Sequence, residues 1–232
     1  MTIKISRRHA LIHSSAFSTA FLTGMQVPSA FAKWLAETPH QPAGPFYHPF
    51  EPLSLDNDLV LREGRDQPAD GEIIYLKGII RDQTGKPIPK ARVEIWQANA
   101  YGRYNHPQHA NSNLKIDPNF LGFGHTLTDE TGAYRFRSIK PAPYPNSTAW
   151  IRPPHIHFAV FPPGGHEWAT QMYFRGEKLN ATDFLLRRLP NDADRARVIV
   201  DFRPVPDAPD PSAALGEFEI VLGMPGVTRD KA

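Results

Sequence analysis

The sequence predicts an all-β fold: a β-sandwich of mostly antiparallel strands with long loops and one short helix. Three observations carry that expectation. Six separate segments read as strands, most of them with apolar residues recurring at a period of two. The 232-residue chain holds 24 prolines and 16 glycines, which break helices and supply turns. Only one stretch reads as a helix. Many short strands divided by turn signals bury their inner faces by pairing two sheets, a barrel being the other closed form the pattern allows.

Residues 1–32 stand apart from the remainder of the chain. SRRHAL (Ser6 to Leu11) is basic, Ala16 to Met25 is mildly apolar and broken by Ser and Thr, and Ala30-Phe31-Ala32 is a small-x-small cleavage pattern. The segment is expected to be an export signal, and paired Arg7 and Arg8 make it resemble the twin-arginine class, which carries folded proteins out of the cytoplasm to the periplasm or beyond. A frayed or amphipathic helix is the alternative, and with it a cytoplasmic protein. The apolar stretch is too short and interrupted for a membrane anchor. With the three leader cations Lys4, Arg7 and Arg8 set aside, the formal net charge falls from +2 to −1. No block of like charge remains to suggest a nucleic-acid partner.

Residues 33–70 form an expected arm, with TPHQPAGPFYHPF (Thr38 to Phe50) dense in proline and carrying aromatics that can pack over a core. Residues 71–232 form the expected sandwich domain. YLKGIIRD (Tyr75 to Asp82) and ARVEIWQA (Ala91 to Ala98) flank the turn chemistry of QTGKPIPK. GAYRFRSI (Gly132 to Ile139), HIHFAVF (His155 to Phe161), RVIVDF (Arg197 to Phe202) and GEFEIVL (Gly216 to Leu222) complete the strands. The helix is TDFLLRRL (Thr182 to Leu189), with a polar start that can cap and Pro190 to stop it. Apolar content of 41% suits a globule and excludes a multispanning membrane protein.

The chemistry lies in four residues. His155 and His157 sit two apart on a strand and so project from one face, which suits them to be half of a metal site, a histidine pair on a solvated strand being the plainer reading that the other residues must outweigh. Tyr104 follows the strand ending near Trp96, and Tyr144 is framed by prolines that restrict its loop. A tyrosine, with an ordinary pKa of about 10, binds as phenolate near neutrality only to a strongly charged cation. Ferric iron meets that need. Two phenolates and a hydroxide neutralise its charge, and neutral imidazoles complete the shell. Cysteine is absent, so thiolate ligands and disulfides are excluded.

These residues also carry a resemblance. GIIRDQTGKPIPKARVEIWQANAYGRYNH (Gly78 to His106) closely resembles the signature of the intradiol ring-cleaving dioxygenases. KPAPYPN (Lys140 to Asn146), IRPPHIHF (Ile151 to Phe158) and TQMYF (Thr170 to Phe174) come next in the family's order. TPHQPAGPFY is similar to the arm bordering the substrate mouth in protocatechuate 3,4-dioxygenases. The resemblance implies ferric iron with Tyr104 and His155 as equatorial ligands and Tyr144 and His157 as axial ones. It implies that a catechol displaces the Tyr144 phenolate, that Arg152 and Gln171 stabilise the activated substrate, and that both atoms of dioxygen enter a muconate-type diacid. No external reductant is then required.

Protocatechuate is the first expected substrate and catechol the second, because the space before the sandwich is too short and proline-rich for the helical dimerisation region of catechol- and hydroxyquinol-cleaving relatives. The resemblance allows a homo- or hetero-oligomer. Two departures border the pocket: Asn146 stands where the family often has tryptophan, and Trp150-Ile151-Arg152 is one residue longer than the usual Trp-Arg-Pro. Two other readings of the residues are a non-catalytic binding module on a sandwich and a histidine-held zinc or copper site with water as the attacking group.

The remaining candidates have plainer readings. Tyr101 is the alternative phenol, but the Gly-Arg-Tyr context selects Tyr104. His106, His109 and His125 are expected in loops, solvated or supporting the ligands at most. Tyr134 and Tyr173 are read as packing residues with a hydrogen-bonded tip, and Trp96 as core. Glu94 has no carboxylate partner and is given no acid or base role.

Overall fold

In the computed structural model the described residues are 34–47, 56–210 and 213–223. The expected export signal at 1–32 lies outside them. Twelve strands make up the described fold: β1 (Ile73–Asp82), β2 (Arg92–Trp96), β3 (Phe123–Leu127), β4 (Ala133–Ile139), β5 (Tyr144–Ser147), β6 (Trp150–Arg152), β7 (His155–Phe161), β8 (Trp168–Phe174), β9 (Ile199–Val200), β10 (Phe202–Pro204), β11 (Ala214–Glu217) and β12 (Ile220–Leu222). One sheet runs β10-β11-β1-β12, with β4 along the other side of β1. The second runs β3-β2-β7-β8-β9, and β5 and β6 form a separate hairpin.

The alternation read from the sequence decides which side chains enter the core. In β4, Tyr134 and Phe136 face inward while Arg135 is exposed. Arg137 ties Asp58 and Asp210 to the outer surface through 2.9 Å and 2.6 Å ion pairs. Ile74, Leu76 and Phe136 from the first sheet meet Val93, Ile95, Ile156, Phe158 and Met172 from the second in one apolar cluster. The second sheet is also covered on its outer face, so β7 is buried at six of its seven positions. That outer face carries Trp96, His155, His157, Gln171 and Tyr173.

Three expectations are corrected. RVIVDF is not one strand, because helix α2 (Asp192–Val198) runs into it before β9 and β10 begin. The Asn191 side chain caps that helix by accepting from the Asp194 N–H, and Asp192–Arg195 and Asp194–Arg197 pairs brace its surface. Local capping and i,i+3 pairing outweigh the strand preference of Val198. The described fold therefore has two short α-helices rather than one, the other being α1 (Phe184–Arg187) inside the expected stretch.

GEFEIVL also divides, into β11 and β12, and both pair with β1 in parallel. The break coincides with Gly78, where an added Cβ would lie 1.8 Å from the Phe218 carbonyl oxygen and 2.7 Å from the Tyr134 hydroxyl. Only glycine permits that approach. Gly78→Ala is expected to lower the unfolding free energy by about 3 kcal/mol, read from urea denaturation, because overpacking here presses on backbone.

Candidate metal centre and active site

Strand β7 sets the register of the site. His157 lies opposite Trp96 on β2 and Gln171 on β8, and His155 lies opposite Tyr173. Paired residues on adjacent strands share a face, so these side chains all project to the same side. The indole of Trp96 stacks on the His157 ring at 4.9 Å with only 9° between planes, which fixes the imidazole's orientation.

Both histidines are buried. Burial, reinforced by the Arg152 charge, holds each imidazole well below the usual histidine range, so both are neutral at pH 7. His155 Nδ1 donates to the Pro153 carbonyl oxygen at 2.7 Å, an atom that can only accept, and its Nε2 therefore presents a lone pair. That Nε2 lies 3.2 Å from His157 Nε2 and 3.3 Å from the Tyr104 hydroxyl.

Tyr104 is placed by a loop whose polar groups are closely satisfied. Asn99 Oδ1 accepts the N–H groups of Tyr101 and Arg103, while the Arg103 guanidinium donates to the carbonyls of Ala110, Ser112 and Leu114. The Tyr104 N–H donates to His109 Nδ1 at 3.0 Å. Gly102, at φ +80°, brings this loop against the next tyrosine, since an added Cβ would stand 2.6 Å from the Pro143 carbonyl oxygen and 3.1 Å from Tyr144 Cβ. The Tyr104 and Tyr144 rings meet edge to face at 5.3 Å. Burial raises both phenols above their ordinary pKa, most strongly at Tyr104.

Tyr144 begins β5 and lies opposite Arg152 at the end of β6. Asn146 falls in a bulge, unpaired and exposed, and Ile151 sits outward opposite Pro145. The bulge lets Arg152 face Tyr144 despite the longer Trp-Ile-Arg segment. Arg152 is buried, and it donates from Nε to Asp183 at 2.7 Å and from its terminal nitrogen to Gln171 Oε1 at 2.6 Å. Burial alone would lower its pKa, but Tyr173, Tyr144 and Asp183 outweigh that and raise it.

A cation suits this donor set. The His155 Nε2 lone pair lies within hydrogen-bond distance of both His157 Nε2 and the Tyr104 hydroxyl, three donor atoms crowded at one buried point. No group of three or more His, Cys, Asp or Glu side chains occurs among the described residues, so a metal held here needs the tyrosines. The six residues expected at the site, Tyr104, Tyr144, Arg152, His155, His157 and Gln171, all fall in this region.

The other candidates separate. Tyr101 donates to Asp70 and lies beneath Lys115, away from the histidines. The His106 side chain caps a short turn by accepting from the Gln108 N–H, and His109 backs Tyr104. His125 is a correction: it lies in β3 and is buried, not in a solvated loop. Tyr134 donates to the Phe218 carbonyl and packs, as expected. Tyr173 does more than pack, because its hydroxyl has acceptor oxygens of Gln41, Gln171 and Asp183 at 3.1–3.3 Å, Gln41 the nearest, for its one proton. Asp183 carried a readable signal as a cap, but nothing in the linear chain pairs it with Arg152, 31 positions earlier.

The arm covers the site. Thr170 donates to the Pro39 carbonyl, Gln41 accepts from Tyr173 and donates to the Gln171 carbonyl, and Gln171 Nε2 donates to the Pro42 carbonyl at 2.9 Å. Phe46 stacks on Tyr104 at 4.3 Å and on His109 at 5.0 Å. Tyr47 donates to the buried Glu94 at 2.8 Å, and Arg92 pairs with the other carboxylate oxygen. Glu94 is thus an anchor for the arm.

A family model described as "Dioxygenase" matches residues 43–224. The chain is 44% identical over 175 residues to the protocatechuate 3,4-dioxygenase beta chain of Burkholderia cepacia, covering 72% of each. It is 31% identical over 173 residues to a catechol 1,2-dioxygenase of Pseudomonas sp. strain EST1001, covering 69% of this chain and 54% of that one. Among solved structures it resembles the dioxygenase domain of a dioxygenase carbohydrate-binding protein fusion from Streptomyces sp. SirexAA-E. That match has a TM-score of 0.61 and 26% identity, over 81% of this chain and 99% of that one.

Tyr47→Phe leaves one oxygen of a buried carboxylate without its donor. It is expected to cost about 1–3 kcal/mol in unfolding free energy and to speed amide exchange at residues 41–47, measured by hydrogen–deuterium exchange.

Proposed function

Because the chain belongs to the intradiol ring-cleaving dioxygenases, oxidoreductases that open an aromatic ring with dioxygen, we propose that it cleaves protocatechuate or a closely similar catechol to a muconate-type diacid, using ferric iron held by Tyr104, Tyr144, His155 and His157. The observation that carries this reading is the convergence of two phenols and two neutral imidazoles beside one buried guanidinium. A ferric ion held by these donors would supply the Lewis-acid and redox chemistry that activates a catechol ring toward dioxygen.

The chain's own groups then have distinct tasks. His155 and His157 contribute lone pairs without charge, which limits the cost of burying the site. Tyr144, which burial keeps protonated unless a cation ionises it, would accept a substrate proton as the phenolate, and Arg152 is its partner across the hairpin. Arg152 holds a fixed positive charge in a dry region, so it stabilises negative charge developing on the ring without reorganising. Gln171 fixes the guanidinium by accepting one of its N–H groups. Phe46 and the arm exclude water from above Tyr104.

Protocatechuate is favoured over catechol by the higher identity to a chain of that name. The match to the catechol 1,2-dioxygenase spans about half the length of that protein. Residues 1–32 are proposed to export the protein already folded. No helix among the described residues is long and apolar enough to cross a membrane.

Purified protein loaded with ferric iron is expected to absorb visible light through tyrosinate-to-iron charge transfer. It should consume oxygen fastest with protocatechuate among a panel of substituted catechols. A colourless iron-loaded protein, or a panel without oxygen uptake, sinks the proposal. Tyr104→Phe should weaken the visible band and lower kcat/KM by at least about 100-fold, the upper range for disturbing a metal's surroundings. Dialysis against a chelator should remove colour and activity together, and ferric iron should restore both.

A further inference from the structure

Asp183 is wholly buried, and one carboxylate meets four donors. Oδ2 accepts from Arg152 Nε at 2.7 Å and from the Trp150 indole at 3.3 Å. Oδ1 accepts from the Leu186 N–H at 2.9 Å, capping α1, and lies 3.3 Å from the Tyr173 hydroxyl, a donor group whose one proton it shares with Gln41. A terminal nitrogen of the same guanidinium donates to Gln171 Oε1 at 2.6 Å and lies 3.3 Å from the Tyr173 hydroxyl.

A helix cap alone does not call for a buried charge, since serine, threonine or asparagine serves as well. Removing a carboxylate from water is costly, and it is sustained here because the partner is an equally buried arginine. A guanidinium is planar, so restraints on Nε and one terminal nitrogen fix its plane. Those restraints come from different elements: Asp183 from the start of α1, and Gln171 from β8. Tyr173 links the two and reaches the arm through Gln41.

We propose that Asp183 is a positioning residue for ring cleavage, setting the plane of the Arg152 guanidinium beside Tyr144 and the two histidines without itself touching substrate. The proposal rests on the reading that Arg152 stabilises the activated ring. Asp183 acts wholly through Arg152, and removing its charge slows the chemical step more than it weakens substrate binding.

The test compares Asp183→Asn, Asp183→Glu, Arg152→Met and the Asp183→Asn/Arg152→Met pair, each as iron-loaded full chain. Asparagine keeps the cap but loses the charge. It is expected to lower kcat on the order of 10- to 100-fold with KM changed by less than about threefold, as misplacement of a stabilising group does. Glutamate, which keeps the charge, should recover part of kcat. In the Arg152→Met background, Asp183→Asn should change kcat by less than about twofold, because the group it positions is gone.

Effects that multiply across the pair, or an Asp183→Asn kcat within about twofold of wild type, overturn the proposal. A readout independent of turnover is the Arg152 Nε–H signal in 15N NMR. It should be protected from exchange in the wild-type chain and unprotected in Asp183→Asn, and persistence in the variant also overturns the proposal. Wild-type protein inactive toward every catechol removes the ring-cleavage reading instead, and the Nε–H signal then decides the positioning by itself.

Discussion

Two imidazoles kept neutral and dry on one face of β7 are the constraint from which the rest of the site derives. A strand buried on both sides offers its inner residues to the core and its outer residues to whatever covers the sheet. Here Ile156 and Phe158 join the apolar cluster, and His155 and His157 face the opposite layer. A slip of one residue would exchange the two sets, placing imidazoles in the core and a phenylalanine at the site. The pairing of β7 with β2 and β8 therefore specifies chemistry as well as packing. The same pairing delivers Trp96, Gln171 and Tyr173 to the places where they orient or support the ligand set.

The second constraint is electrostatic. A buried guanidinium pushes neighbouring histidines toward the neutral form and favours ionised phenols, and both effects suit a site that must bind a cation through oxygen. Unbalanced, that charge would be prohibitive, and Asp183 neutralises it at contact distance. Desolvation meanwhile raises Tyr104 and Tyr144, so without a cation the phenols keep their protons. Metal binding at such donors releases protons, which ties occupancy to pH.

Much of this was legible in the chain. The period of two placed β4 and β7, and the His-x-His spacing on β7 required the two imidazoles to share a face. Tyr104 and Tyr144 are marked by their loop contexts and by the resemblance alone, because no local period joins positions 40 residues apart. Less visible were strands whose signal is diluted: β3 reads FGHTL, with glycine and histidine in so short a run, and β5 and β6 are only four and three residues long. The Asp183–Arg152 pair was illegible for a different reason. Asp183 had a sufficient local role as a helix cap, and the contact that gives it a second role exists only once α1 packs beside β6.

Residues 34–47 of the arm show how a segment without helix or strand can still belong to the site. A loop lying on protein leaves its backbone polar groups unsatisfied unless the surface beneath it answers them. The first part of β8 does this. Its Ala169 carbonyl accepts the Gln41 N–H, while Thr170 and Gln171 donate to the Pro39 and Pro42 carbonyls. Proline at 39 and 42 limits the conformations lost on docking. Gln171 thus joins two functions in one side chain, its oxygen restraining Arg152 and its nitrogen restraining the arm. Displacing the arm removes a hydrogen bond from the residue that orients the guanidinium and uncovers Tyr104 where Phe46 had stacked. Access to the ligands and the geometry of the stabilising charge are therefore coupled through the Gln171 amide and the Tyr173 hydroxyl, which meets Gln41 of the arm, and substitutions in Pro39 to Tyr47 act on both together.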